Sequence, residues 1–169
     1  QDGSGNPLED IRTPEDNERV ADQLLEFVRA LTEDPGVRVL ASLAGGRKTM
    51  STYLAMAMQF YGRPGDELLH VLVPAPFESH PQFYYPPRTP RLLIAQDGRT
   101  LSTDQARVEL ATVPVIFLRG RLPILDGRQR LPFSQLVQRV QEELRLQQEP
   151  PLAVVDCRRR SLTVGSTTV

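Results

Sequence analysis

Apolar positions at Val20, Leu24, Phe27, Val28 and Leu31 repeat at helical spacing and form one stripe, while Glu18, Arg19, Asp22 and Arg29 fall largely elsewhere. The residues before the stripe supply a helix start. Thr13 is the N-cap, Pro14 holds the first helical position, and Asp16 places an acid where the helix dipole is positive. A helix over 14–31 is expected, packed on something flat. Asp34-Pro35-Gly36 reads as a turn, 37–43 as a mostly apolar strand, 50–61 as a helix ending at Gly62, and 68–73 as a second apolar strand. Helix, strand, helix, strand with short connections is an α/β pattern, and near-continuous apolar strands suggest a parallel sheet covered on both faces.

The pattern then breaks. Residues 74–90 carry six prolines and four aromatics in 17 positions, which favours a long ordered loop. Residues 91–95 and 99–102 flank Asp97-Gly98, a hairpin turn pair, and 108–118 gives another apolar strand, so this region is expected to extend the sheet antiparallel. A last helix over 133–147 places Leu136, Val137, Val140 and Leu144 on one face and stops at Pro150-Pro151. A small hairpin follows, 152–156 with 161–164, around Arg158, Arg159 and Arg160. The expected fold is α/β and Rossmann-like: a mostly parallel sheet with helices on both faces, plus a C-terminal helix and β-hairpin. Residues 1–125 are expected to form the Rossmann-like domain, and 126–169 the helix and hairpin, as the start of a second small unit. The polar opening, 1–9, is expected to be a loop, and the abrupt end at Val169 suggests a piece of a longer polypeptide.

Composition narrows the function. Apolar residues are 40% and charged residues 24%, ordinary for a folded domain, and 169 residues leave room for one sizeable core. The net charge of -1 removes the broad electrostatic argument for binding long nucleic acid. Cys157 is the single cysteine, so no internal disulfide framework exists, and a cytoplasmic location is expected. No apolar run is long enough to span a bilayer, so no membrane association is expected. Of 20 basic residues 19 are arginine, and the one lysine is Lys48.

Lys48 lies in Ser42-Leu43-Ala44-Gly45-Gly46-Arg47-Lys48-Thr49-Met50, where a strand hands over to a helix. Two glycines let the backbone turn tightly and approach a ligand, the free amides of the helix start point at it, and Arg47, Lys48 and Thr49 add donors. An anion is the natural guest, with Ser42, Ala44, Gly45, Gly46, Arg47, Lys48 and Thr49 as candidate binding residues. A P-loop requires glycine at the positions held by Arg47 and Ser42, and a dinucleotide fingerprint requires glycines spaced differently from Gly45, Gly46 and Gly62. Nucleoside triphosphate, NAD and FAD sites are therefore not expected. A plain tight turn with solvated Arg47 and Lys48 is the competing reading. Glu78 and His80, in the proline-rich loop, are candidates to close over a ligand or assist proton transfer, against a purely packed loop. His70 reads as a structural histidine within a strand, Cys157 as an unreactive thiol, and 158–160 as solvated. No residue set has metal-ligand spacing, so neither metal nor other cofactor is expected.

Three blocks, D-I-R-T-P-E-D-N at 10–17, S-L-A-G-G-R-K-T-M at 42–50 and H-V-L-V-P-A-P-F-E at 70–78, resemble the CRISPR-associated ring nucleases with a CARF (CRISPR-associated Rossmann fold) domain. The resemblance extends over most of the chain and loosens after Arg119. It implies binding of cyclic oligoadenylate, specifically cyclic tetra-adenylate, across a homodimer. It also implies metal-independent cleavage, in which a ribose 2′-hydroxyl attacks the adjacent phosphorus and Lys48 and Arg47 stabilise the charge. The family's domain opens with a further strand and polar loop, and this chain is expected to lack them. A sensor that binds the ring without cutting it, and signals to an effector elsewhere, is the alternative. An interaction module with an empty crevice is a third.

Overall fold

The structure, a computed structural model, describes residues 10–148, 153–164 and 167–168. The opening loop at 1–9 and the Pro150-Pro151 stop fall outside the described residues. Helix α1 spans Pro14–Glu33 and starts as its sequence dictates: the Asp16 amide donates to Thr13 Oγ1 at 3.1 Å and the Thr13 amide donates back to Asp16 Oδ2 at 3.2 Å. Ala21, Leu25 and Val28 are its buried stripe. Phe27, expected to be buried, is 61% exposed, and Arg29 takes a buried place instead. Arg29 tolerates that position because Glu26 and Glu33, one turn to either side, pair with its guanidinium.

Strand β1 (Leu40–Ser42) is shorter than expected, and α2 (Lys48–Tyr61) begins two residues earlier than its apolar pattern suggested. Strand β2 (Glu67–Leu72) runs parallel to β1, pairing Ala41 with Leu68. Beyond it, β5 (Glu109–Val113) pairs antiparallel, Leu68 with Val113. The order β1-β2-β5 makes β2 central and β1 an edge, in a mixed sheet of three strands. The expectation of a mostly parallel sheet is corrected here: the fold is mixed α/β, with one parallel pair in this sheet. Strand direction depends on how the chain returns after 73–108, and apolar content does not encode it. Nor do the helices cover both faces equally. Ala41 and Leu68 face the core, while Leu40 and Leu110, on the opposite face, are 57% and 67% exposed.

One core joins the helices to the sheet. It gathers Leu25 and Val28 of α1, Ala57, Met58 and Tyr61 of α2, Ala41 and Leu68 of the sheet, and Phe133, Leu136 and Val140 of α4 (Phe133–Gln148). Each fully buried aliphatic side chain contributes roughly 1.5–3 kcal/mol relative to exposure. Leu144, expected on the same stripe, sits past the core and is 37% exposed. Among the described residues no helix is long and apolar enough to cross a membrane.

Residues 73–106 form a structure of their own between β2 and β5. The expected loop contains a single helical turn, α3 (Ala75–Glu78). The hairpin β3 (Leu92–Ile94) and β4 (Thr100–Ser102) is a separate two-stranded sheet, not an extension of the main one. Phe77, Phe83, Leu93, Leu101 and Ala106 close a second, smaller hydrophobic cluster beneath it. Near the C-terminus, β6 (Ala153–Asp156) and β7 (Ser161–Val164) form the expected hairpin, joined by β8 (Thr167–Thr168). His70, expected to be a structural histidine within a strand, is exposed on β2 opposite Ala111.

Where α1 ends, no basic residue lies in its last turn. Arg63 takes over from a distance: its guanidinium donates to Thr32 O at 3.0 Å, to Asp34 O at 2.7 Å and to Val37 O, and pairs with Asp66 at 3.2 Å. Asp66, 6% exposed, accepts the Val39 amide at 2.9 Å and the Arg63 amide at 2.8 Å. Burial opposes ionisation of this carboxyl, but the Arg63 guanidinium and the two amides outweigh it and hold its pKa below the usual value.

Removing Arg63 leaves the buried Asp66 without an opposite charge, and removing the Asp66 charge leaves Arg63 with neutral acceptors only, so Arg63→Ala and Asp66→Asn should each lower unfolding free energy by about 3 kcal/mol in urea titrations. Because the folded-state pKa of Asp66 is depressed, its stabilisation is complete above the roughly 3.9 of an unfolded aspartate and is lost as pH falls through the folded value. Asp66→Asn should therefore flatten the acid limb of the stability profile. A Cβ at Gly62 would lie 2.4 Å from Met58 O and 2.5 Å from Phe117 Cε1. Gly62→Ala is expected to cost about 1–3 kcal/mol, measured by the same titration.

Candidate functional site

In an open α/β arrangement the carboxyl ends of parallel strands are where ligands collect. Strand β1 leaves the sheet at Ser42, and the chain reaches α2 through a five-residue turn. Two bonds fix its start: the Leu43 amide donates to Leu69 O at 2.8 Å, and the Ser51 hydroxyl donates to Leu43 O at 2.9 Å. Gly45 and Gly46 have φ of 96° and 72°, which a side-chain-bearing residue rarely adopts. The glycines are thus required by backbone geometry. Ser42 Oγ accepts the Ala44 amide at 3.2 Å and so braces the turn from below.

The start of α2 differs from that of α1. Its N-cap is Arg47, no side chain caps it, and its first turn holds no acid. The Met50 amide turns back to Arg47 O at 2.9 Å, the amides ahead of it have no side-chain cap, and Lys48 adds a positive charge where the dipole is already positive. A missing cap costs about 1 kcal/mol and an ill-placed charge about 0.3–1 kcal/mol, so local stability does not explain this choice of residues. An anion resolves both costs together.

Residues 44–49 and Ser42 are exposed, so the turn forms an open cradle on this chain. Arg47 is engaged: its Nε donates to Asp10 Oδ1 at 2.7 Å, and a second guanidinium nitrogen pairs with Oδ2. The hydrogen bond from Arg47, then that from the Ile11 amide, hold the Asp10 pKa down at about 2, and Arg47 is shifted up in return. Among the described residues Lys48 has no carboxylate at ion-pair distance, which makes it the uncommitted cation of the turn. Thr49 is exposed beside it. Sequence reasoning missed Asp10 as a site residue, because a contact across 37 positions leaves no local pattern.

Against the turn lies a cleft of about 530 Å³ with Leu43 and Ser51 at the turn end and Met56, Gln59, Val115 and Ile116 farther along. Its lining is apolar with a few hydroxyl and amide groups and contains no carboxylate. A phosphate on the helix amides with a flat apolar group in the cleft is the ligand shape these two features suit.

Glu78 and His80 are not part of this cluster; both belong to the 73–106 insertion. Glu78 is exposed at the end of α3. The Gln82 amide donates to His80 Nδ1 at 3.2 Å, which leaves the proton on Nε2, from which it is donated to Ile94 O at 3.0 Å. Both ring nitrogens are committed to holding the insertion together, which argues against the proton-transfer role considered for His80. Among the described residues no group of three His, Cys, Asp or Glu side chains gathers at metal-binding distance.

No curated protein and no solved structure matches the chain significantly. A protein family does match, over residues 1–146, and that span includes β1, the Gly45-Gly46 turn, α2 and the insertion. The chain belongs to the family described as CRISPR-associated protein NE0113.

Proposed function

We infer that this chain binds cyclic oligoadenylate, with cyclic tetra-adenylate as the ligand considered first, and cleaves it. The observation that carries this reading is the uncapped start of α2, where free amides and Lys48 meet at the carboxyl end of β1. Membership of a CRISPR-associated family supports it, as does the resemblance of the 10–17, 42–50 and 70–78 blocks to CARF ring nucleases. On this reading residues 1–125 are a CARF domain of Rossmann-like ancestry, 126–169 are an appended helix and hairpin, and two copies enclose the ring.

The reaction is an in-line displacement. The ribose O2′ attacks the adjacent phosphorus, the bond from phosphorus to O5′ breaks, O5′ takes up a proton, and a 2′,3′-cyclic phosphate remains. The nucleophile belongs to the substrate, so the protein's part is to hold the ring in attack geometry and to stabilise negative charge. The Gly46, Arg47 and Lys48 amides and the Lys48 ammonium serve the second purpose. Ser42, whose Oγ already accepts from Ala44, and Thr49 act in support. A non-catalytic sensor is the second reading, favoured by the exposure of residues 44–49 on a single chain.

Cyclic tetra-adenylate incubated with the protein in EDTA and resolved by chromatography should yield linear products. Lys48→Ala should slow their appearance by about 10²–10³, the effect of losing one oxyanion donor. Binding without products would replace cleavage with sensing, and no binding would remove both. The Asp10 carboxylate competes with the ligand for Arg47, so Asp10→Asn should tighten binding while Arg47→Ala weakens it, by roughly tenfold in calorimetry.

A further inference from the structure

The 73–106 insertion carries a second concave site that the Gly-rich turn does not use. Its floor is Phe83, 8% exposed and tilted against Phe77 with ring centroids 5.0 Å apart. From that anchor the next two residues turn outward: Tyr84 is 92% exposed and Tyr85 71%. They line a cleft of about 500 Å³ with Pro87, Arg91 and Leu92, and no carboxylate contributes to its lining. The backbone of Arg91 is pinned in both directions, its amide donating to Thr103 Oγ1 at 2.9 Å and its carbonyl accepting the Thr103 amide at 2.9 Å. Arg88 lies exposed on the same loop, and neither it nor Arg91 has an ion-pair partner among the described residues.

Two tyrosine rings left in water beside an exposed leucine, with two uncommitted guanidiniums, are a costly surface for a loop to present. The combination fits one ligand chemistry. Aromatic faces accept stacked bases of any sequence, and guanidiniums take the phosphates between them. We propose that this cleft binds a nucleotide unit of a single-stranded oligonucleotide, with the base stacked on Tyr84 or Tyr85 and the phosphate held by Arg88 and Arg91. A linear strand and a cyclic ring present the same unit. The linear case is independent of the function inferred above, and the cyclic case rests on it. The insertion springs from the end of β2 that lies beside the exit of β1, so both sites grow from the carboxyl end of the parallel pair.

The test uses the full chain and two probes, linear hexa-adenylate RNA and cyclic tetra-adenylate. Affinity is measured by titration calorimetry, which also reads variants that lack the two rings. With no tryptophan and four tyrosines in the sequence, and Tyr61 buried, quenching of intrinsic fluorescence in the unmutated chain reports mainly on the exposed rings. Linear RNA should quench it, with log affinity falling against log salt at a slope of about -0.7 for the one phosphate held. The Tyr84→Leu/Tyr85→Leu variant should bind roughly tenfold weaker or worse, and Tyr84→Phe/Tyr85→Phe should bind as wild type. If the ring also binds and is lost in both the leucine variant and Lys48→Ala, the cleft serves the same ligand as the turn. If linear RNA binds and the ring does not, the cleft stands and the cyclic-oligoadenylate reading falls. Absence of quenching by both probes, or full affinity in the leucine variant, overturns the proposal and leaves the surface to a protein partner.

Discussion

The Arg63–Asp66 pair is the junction on which the placement of everything else depends. Arg63 collects carbonyls from the end of α1 and from the turn into β1, and Asp66 fixes the Val39 amide, while the Glu67 amide donates to Val39 O at 2.9 Å. Helix, strand and neighbouring strand are thereby set relative to one another through two side chains three residues apart. Arg119 adds to the arrangement, donating to Thr32 O at 2.8 Å and so tying the segment after β5 to the same helix end. The register of β1 against β2 follows from this point, and the position at which β1 releases the chain into its glycine turn follows from the register.

The two long helices of the sheet layer show what the protein stabilises locally and what it leaves open. At α1 the Thr13–Asp16 capping box satisfies the first amides from within the segment, and Glu15 and Asp16 match the dipole. At α2 none of these devices is present. The same chain plainly encodes a well-made helix start, so the bare one is a local departure from consistency, of the kind that marks functional positions. The Asp10–Arg47 pair connects the two starts, since Asp10 lies just ahead of the Thr13 cap and Arg47 is the N-cap of α2.

The helices were legible because their signals are local: Thr13-Pro14 starts α1, Gly62 ends α2, and Leu136 with Val140 repeats at one helical turn. The glycine turn was legible for the same reason. What was not legible depends on partners far along the chain. Arg29 reads as polar surface until Glu26 and Glu33 are seen to neutralise it, and Arg47 reads as a free donor until Asp10 appears beside it. The direction of β5 and the independence of the β3–β4 hairpin are set by how 73–106 folds back on its own small cluster. Proline and aromatic content alone suggested only a loop. Residue type leaves His80 between proton transfer and a packed loop, and both its ring nitrogens are hydrogen-bonded within the insertion.

That small cluster has a consequence for how the insertion holds its shape. Five buried side chains and a two-stranded hairpin are too little to stay ordered in isolation, since a lone hairpin is marginal in water. Its order is borrowed through Val73, which packs against the cluster as the chain leaves β2. Segments of this kind open more readily than the main core does. Mechanical slack in this protein is therefore concentrated in the unit that carries its most exposed rings, while the strand exit and the glycine bend stay fixed by the sheet.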